Sequence, residues 1–144
     1  MNIRRLLAVS ALLSSAACMH YVPADAVIPS TAEIATIAIV LPGAPDFSFA
    51  DRGRVERLVA FLRQECHWTA ADSDRDESKT AKILGYQIVI HRADGSQEAI
   101  AIAGHEASRA RYHSTLSTRA VEQLAKLCGV ETVHLGPFGG KPKQ

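Results

Sequence analysis

Apolar residues are distributed along the chain in two distinct rhythms. From Ile34 to Leu41 the sequence reads Ile-Ala-Thr-Ile-Ala-Ile-Val-Leu, a β-branched run stopped by Pro42-Gly43, which predicts a mostly buried strand. After the turn-rich Pro42 to Ser48, apolar positions recur at Val55, Leu58, Val59, Leu62 and Cys66, the spacing of one helical face. Cys66 is the last residue of that stripe. Residues 69 to 82 carry Asp72, Asp74, Asp76, Glu77, Lys79 and Lys82 without an apolar period, which predicts a long exposed loop. Tyr86, Ile88 and Ile90 then alternate with Gln87, Val89 and His91, and after Ala93-Asp94-Gly95 a second run ends Ala99-Ile100-Ala101-Ile102-Ala103. This is a hairpin signal. A three-residue loop with Gly95 left-handed places Tyr86, Ile88, Ile90, Ile100 and Ile102 on one face, and the pattern favours that register over a two-residue Asp94-Gly95 loop. A second helix starts at Ser117 or Thr118, buries Val121, Leu124, Ala125 and Cys128, and stops at Gly129. Glu131 to Leu135 reads as a last edge strand.

The order strand, helix, strand, strand, helix and a final strand resembles the ferredoxin-like βαββαβ layout. The fold class expected is α+β, a small antiparallel sheet with two helices on one face. With the first and third strands adjacent and parallel, both helices run the same way and their C-terminal ends come together. A topology lacking the last strand fits nearly as well.

The first eighteen residues carry a different message. Arg4 and Arg5, the apolar run Leu6 to Leu13 and Ser14-Ser15-Ala16-Ala17 are the three parts of a secretory signal peptide, and the apolar run is too short to span a bilayer permanently. The cysteine that follows, Cys18, gives the end of the leader a resemblance to the lipobox of bacterial lipoproteins. That family lipidates this cysteine, which becomes the mature N-terminus. One position departs from the family pattern, Ser15 standing where Leu, Val or Ile is usual. Ser15-Ala16-Ala17 also suits ordinary signal cleavage, which leaves a soluble periplasmic product as the alternative. Under the lipoprotein reading, Met19 rather than an aspartate after the cysteine implies the periplasmic face of the outer membrane. The segments expected are a signal peptide over 1–17, a lipid-anchored tether over 18–33, one domain over 34–136 and a tail over 137–144.

Removing Arg4 and Arg5 from the sixteen basic residues leaves fourteen against fifteen acidic ones, which is no electrostatic footprint for nucleic acid. Lipidation takes Cys18 out of three cysteines and leaves Cys66 and Cys128 as an even pair in an oxidising compartment. A disulfide is the default reading, two buried thiols the competing one. A bridge between the two helix ends would close a loop of about sixty residues and stabilise the fold by roughly 4 kcal/mol on the chain-entropy model.

Candidate chemistry is sparse. Asp72, Asp74 and Asp76 have the opening spacing of an EF-hand loop, but Glu77 stands where the turn needs glycine and Ile83 where the bidentate glutamate belongs. The six histidines include no His-x3-His pair, so neither a metal site nor a small-molecule cofactor is expected. Cys66-His67 is sequence adjacency rather than a dyad. From His105 to Ser114 charge and one aromatic are dense, and Arg109, Arg111, Tyr112 and His113 are candidates for a partner-binding surface. The bland reading of that stretch is a polar connection or short helix. The function expected is binding, as an accessory factor or an inhibitor or immunity protein for an envelope protein, with the membrane held through the lipid. The opposing expectation is a small envelope hydrolase acting on cell-wall or lipid substrate, with at least two of His91, His105 and Glu106 joined in a pocket.

Overall fold

A computed structural model describes residues 21–70 and 85–130. The chain enters through a one-turn helix, α1 (Ala24–Val27), and a 3-10 turn at Thr31–Glu33, then forms β1 (Ile34–Val40), β2 (Phe47–Phe49) and α2 (Arg52–Gln64). There follow β3 (Thr69–Ala70), β4 (Gly85–Arg92), β5 (Gln97–Ala103), β6 (Glu106–Arg109), β7 (Tyr112–Thr115) and α3 (Thr118–Cys128). The seven strands make one antiparallel sheet in the order β2-β1-β4-β5-β6-β7-β3.

The β4–β5 hairpin has the register that the alternation favours. Tyr86 faces Ile102 and Ile88 faces Ile100, and these four with Ile90 are fully buried. Gly95 sits at φ +88°, where a side chain would be strained, and its N–H donates to the Arg92 carbonyl at 3.1 Å. On the same face, Ile37 and Ile39 of β1 pair with Ile90 and Ile88. Helix α2 lays Val55, Leu58, Val59 and Leu62 on this surface, and α3 adds Leu124, Ala125 and Cys128. Both helices are capped, the second at Ser117 as expected: the Asp51 carboxylate accepts from Arg54 N–H at 2.8 Å and the Ser117 hydroxyl from Ala120 N–H at 3.1 Å. Each such cap contributes about 1 kcal/mol.

The fold is α+β, with a larger sheet and a different layout from the one expected. β1 lies beside β4 and antiparallel to it, so β4 separates it from β5, the strand expected as its parallel neighbour. Two short pairings account for the change. Phe47–Phe49 returns against β1 as an edge strand, and Glu106–Thr115, read as a connection or short helix, is a hairpin. Helix α2 therefore carries the chain from the β2 edge to the β3 edge, and α3 starts after β7 and comes back, ending with Gly129 beside Phe47. The helices are antiparallel, so their C-terminal ends do not meet. The last expected strand, 131–135, the tail and the acidic loop from residue 71 onward lie outside the described residues.

Candidate functional site

The stretch from Tyr21 to Glu33, expected to be a tether, is packed into the domain. Val27 and Ile28 have no exposed surface and belong to the core. Burying two such side chains contributes about 3–6 kcal/mol, far more than a free linker would gain. Backbone bonds fix its two ends: Val22 N–H donates to the Trp68 carbonyl at 2.9 Å, Tyr21 bridges Thr69, and Ala93 N–H donates to the Glu33 carbonyl at 2.9 Å. Ser30 and Glu33 close a capping box, the Ser30 N–H and hydroxyl both donating to Glu33 Oε2 at 2.9 and 2.8 Å. Those bonds, with Arg92 nearby, hold the Glu33 carboxyl below its usual range.

Three arginines from distant parts of the sequence clamp this strap. Arg63 of α2 donates to the Ile28 carbonyl at 3.0 Å and pairs with Asp25 at 2.9 Å. Arg109 of β6 donates to the Val27 carbonyl and pairs with Glu98 at 2.8 Å. Arg92 joins Glu98 to Glu33. Glu98 is the hub: its Oε1 accepts from both Arg92 and Arg109, while its Oε2 is buried without a hydrogen-bond partner. A carboxylate in low dielectric between two guanidiniums is strongly held, and removing either cation exposes the cost of burying it.

The four residues expected to form one partner surface divide between jobs. Arg109 is committed to Glu98 and Val27. His113 faces Thr69, whose hydroxyl lies 2.9 Å from Nε2, and so ties β7 to β3. Tyr112 is half-buried against the core, and exposed Arg111 lies over its ring at 5.6 Å. Arg111 and Tyr112 alone of the four remain together near a surface, at the β3 edge.

Cys66 and Cys128 are free and buried, which corrects the expected bridge. Cys66 follows α2 and lies against Ser114 of β7, whereas Cys128 ends α3 beside the Tyr86 hydroxyl. Antiparallel helices set Cys66 toward the start of α3 and Cys128 at its end, with the Tyr86 hydroxyl within electrostatic reach of both. Burial pushes each thiol up to about 12. It also pushes the Tyr86 phenol up, and this hydroxyl has no oxygen or nitrogen partner.

The residues named for hydrolysis do not converge. His91 pairs with Gln97 and Glu106 with Ala103, at opposite ends of β5, about 20 Å apart. His105 lies beside Glu106, but its Nδ1 is 3.1 Å from the Leu116 carbonyl, at a turn. A groove of about 690 Å³ between α2 and α3 is lined by Arg54, Arg57, Phe61, Gln123 and Lys126 among others and includes none of the three. Among the described residues no three His, Cys, Asp or Glu side chains cluster as metal ligands, and no helix is long and apolar enough to cross a membrane. Cys18 and the aspartates of the acidic loop lie outside the described residues.

Sequence reading missed the strap and its hub. One signal was legible: Ser30-x-x-Glu33 has the capping-box spacing, and the Val27-Ile28 pair before Pro29 is apolar enough to seek a core. The chain matches no family model, no curated protein and no solved structure.

Proposed function

We propose that this chain is a lipoprotein of the outer membrane's periplasmic face, working by binding an envelope protein as an accessory factor or as an inhibitor or immunity module. The observation that carries the reading is the leader: two arginines, a short apolar run and small residues end at Cys18, three positions before Tyr21, the first of the described residues and one pinned to the domain. A lipid placed there holds a small folded module at a fixed location, and location is what a binding module needs. The groove between α2 and α3, with Arg54, Arg57 and Lys126 around Phe61, supplies a mixed cationic and apolar surface for a protein partner. The dispersal of His91, His105 and Glu106 leaves the hydrolase reading without the pocket it requires.

The test is replacement of Cys18 by Ser, followed by lipid labelling and membrane fractionation. Loss of label and release into the soluble periplasm is the expected result, and unchanged labelling overturns the anchor. Crosslinking in intact cells, then mass spectrometry, names the partner. Capture of no envelope protein overturns the binding role.

A further inference from the structure

The anchor and the strap together fix more than a location. Only Met19 and His20 separate Cys18 from Tyr21, so three Cα steps span at most about 11 Å. Tyr21 is not the start of a linker: it bridges Thr69 of the edge strand β3, and Val22 is bonded to Trp68. A cysteine embedded at a bilayer surface therefore keeps the β3 edge within about 11 Å of that surface.

The side chains at this edge suit the place. Tyr21 is the one large apolar side chain that stands exposed among the described residues, 69% accessible. Two strand spacings away, about 10 Å, His113 stands in register with it through Thr69, and exposed Arg111 lies two residues before His113 at the β6–β7 turn. Tyrosines with an apolar body and a polar tip collect at the headgroup level of membranes, and arginine beside them meets anionic headgroups. Asp25, the acidic group nearest along the strap, is neutralised by Arg63 at 2.9 Å.

We infer that the β3 edge, through Tyr21 and Arg111, lies on the headgroups of the same bilayer that holds Cys18. This rests on lipidation of Cys18. The opposite edge, β2 with Phe47 and Phe49, is six strand steps away and projects about 29 Å from the membrane, so it faces away from the lipid.

Trp68, the chain's single tryptophan, adjoins Thr69 and reports on this edge. The acylated protein, purified from membranes, is reconstituted into vesicles of phosphatidylethanolamine and phosphatidylglycerol containing dansyl-headgroup lipid, and energy transfer from Trp68 is measured. The comparison is a variant with ten Gly and Ser residues inserted between His20 and Tyr21, a spacer of about 17 Å, together with Arg111→Glu. Transfer several-fold higher in the native protein than in the variant is the expected outcome. Equal transfer in the two, with mass spectrometry showing both acylated at Cys18, overturns the docked edge and leaves the anchor standing. Absence of acylation in the native protein overturns the anchor and, with it, the docking.

Discussion

Arg54, in the first turn of α2, donates from Nε to the carbonyl of Leu127, in the last turn of α3, at 3.3 Å. The start of one helix thus meets the end of the other. Glu65, which caps the far end of α2, lines a small cleft with Ser117 and Arg119 at the start of α3. This crossed arrangement separates the two buried cysteines.

The mature protein is accordingly expected to run at the same mobility with and without reductant. Neither Cys66 nor Cys128 takes up a thiol reagent at pH 8 in the native state, and both do after unfolding in guanidinium. Cys66→Ala should cost about 1–2 kcal/mol, the size of a small buried truncation, rather than the roughly 4 kcal/mol that a lost bridge would cost. A reduction-dependent shift that disappears in Cys66→Ala would show that the helices meet differently.

The raised thiols also set an alkaline limit. Burial holds both cysteines protonated up to about 12 in the native state, whereas the unfolded chain ionises them near 8.5–9. Between those values the native state binds more protons than the unfolded one, so stability is intact below pH 8.5 and falls as pH rises. The expected slope above pH 9 is about 1.4 kcal/mol per unit for each thiol. Urea unfolding at pH 8, 8.5, 9 and 9.5 measures it, below the range in which the raised Tyr86 phenol adds a slope of its own, and a Cys66→Ala, Cys128→Ala variant should lose most of the slope. A slope that survives in that variant assigns the effect elsewhere.

The elements legible from sequence were those in which one periodicity serves one buried face. The β4–β5 hairpin was readable because Tyr86, Ile88, Ile90, Ile100 and Ile102 all point at the helices while a turn glycine sets the register. The β6–β7 hairpin hid for the opposite reason. Its core-facing row is Ala107 and Ser114, continuing Tyr86 and Ile102, with Arg109 reaching Glu98 from the same face. No apolar alternation remains. Its turn also lacks the usual marker, since Ala110 takes φ 49° where Gly or Asn would announce the bend. β2 is three residues long, too short for a period to register. The strap is held by arginines contacting backbone carbonyls, and such bonds leave no trace in residue spacing. The candidate surface was legible in part: Arg111 is exposed at the β6–β7 turn, but Tyr21, its complement, stood in what read as a tether.

Arg109→Ala should cost about 1–3 kcal/mol, because it removes one of the two cations on partly buried Glu98 and a donor from the Val27 carbonyl together. Hydrogen exchange should show residues 22–28 opening in this variant before the β4–β5 hairpin does. Uniform exchange throughout would mean that Arg109 does not clamp the strap.

Two glycines separate close approach from turn strain. A methyl group on Gly85 would lie 1.7 Å from the Ile102 carbonyl oxygen, a backbone atom in the paired strand, so β4 and β5 must part at that point. On Gly95, at φ +88°, a methyl group meets nothing within 4 Å. Gly95→Ala should therefore cost about 1–2 kcal/mol, from backbone conformation alone. Gly85→Ala should cost at least about 3 kcal/mol, in the range reserved for disrupted cores. Urea midpoints for the two variants, with unchanged denaturant slopes confirming that each still unfolds in one step, give the comparison directly. Equal losses would place the two strands farther apart at Gly85 than the register allows.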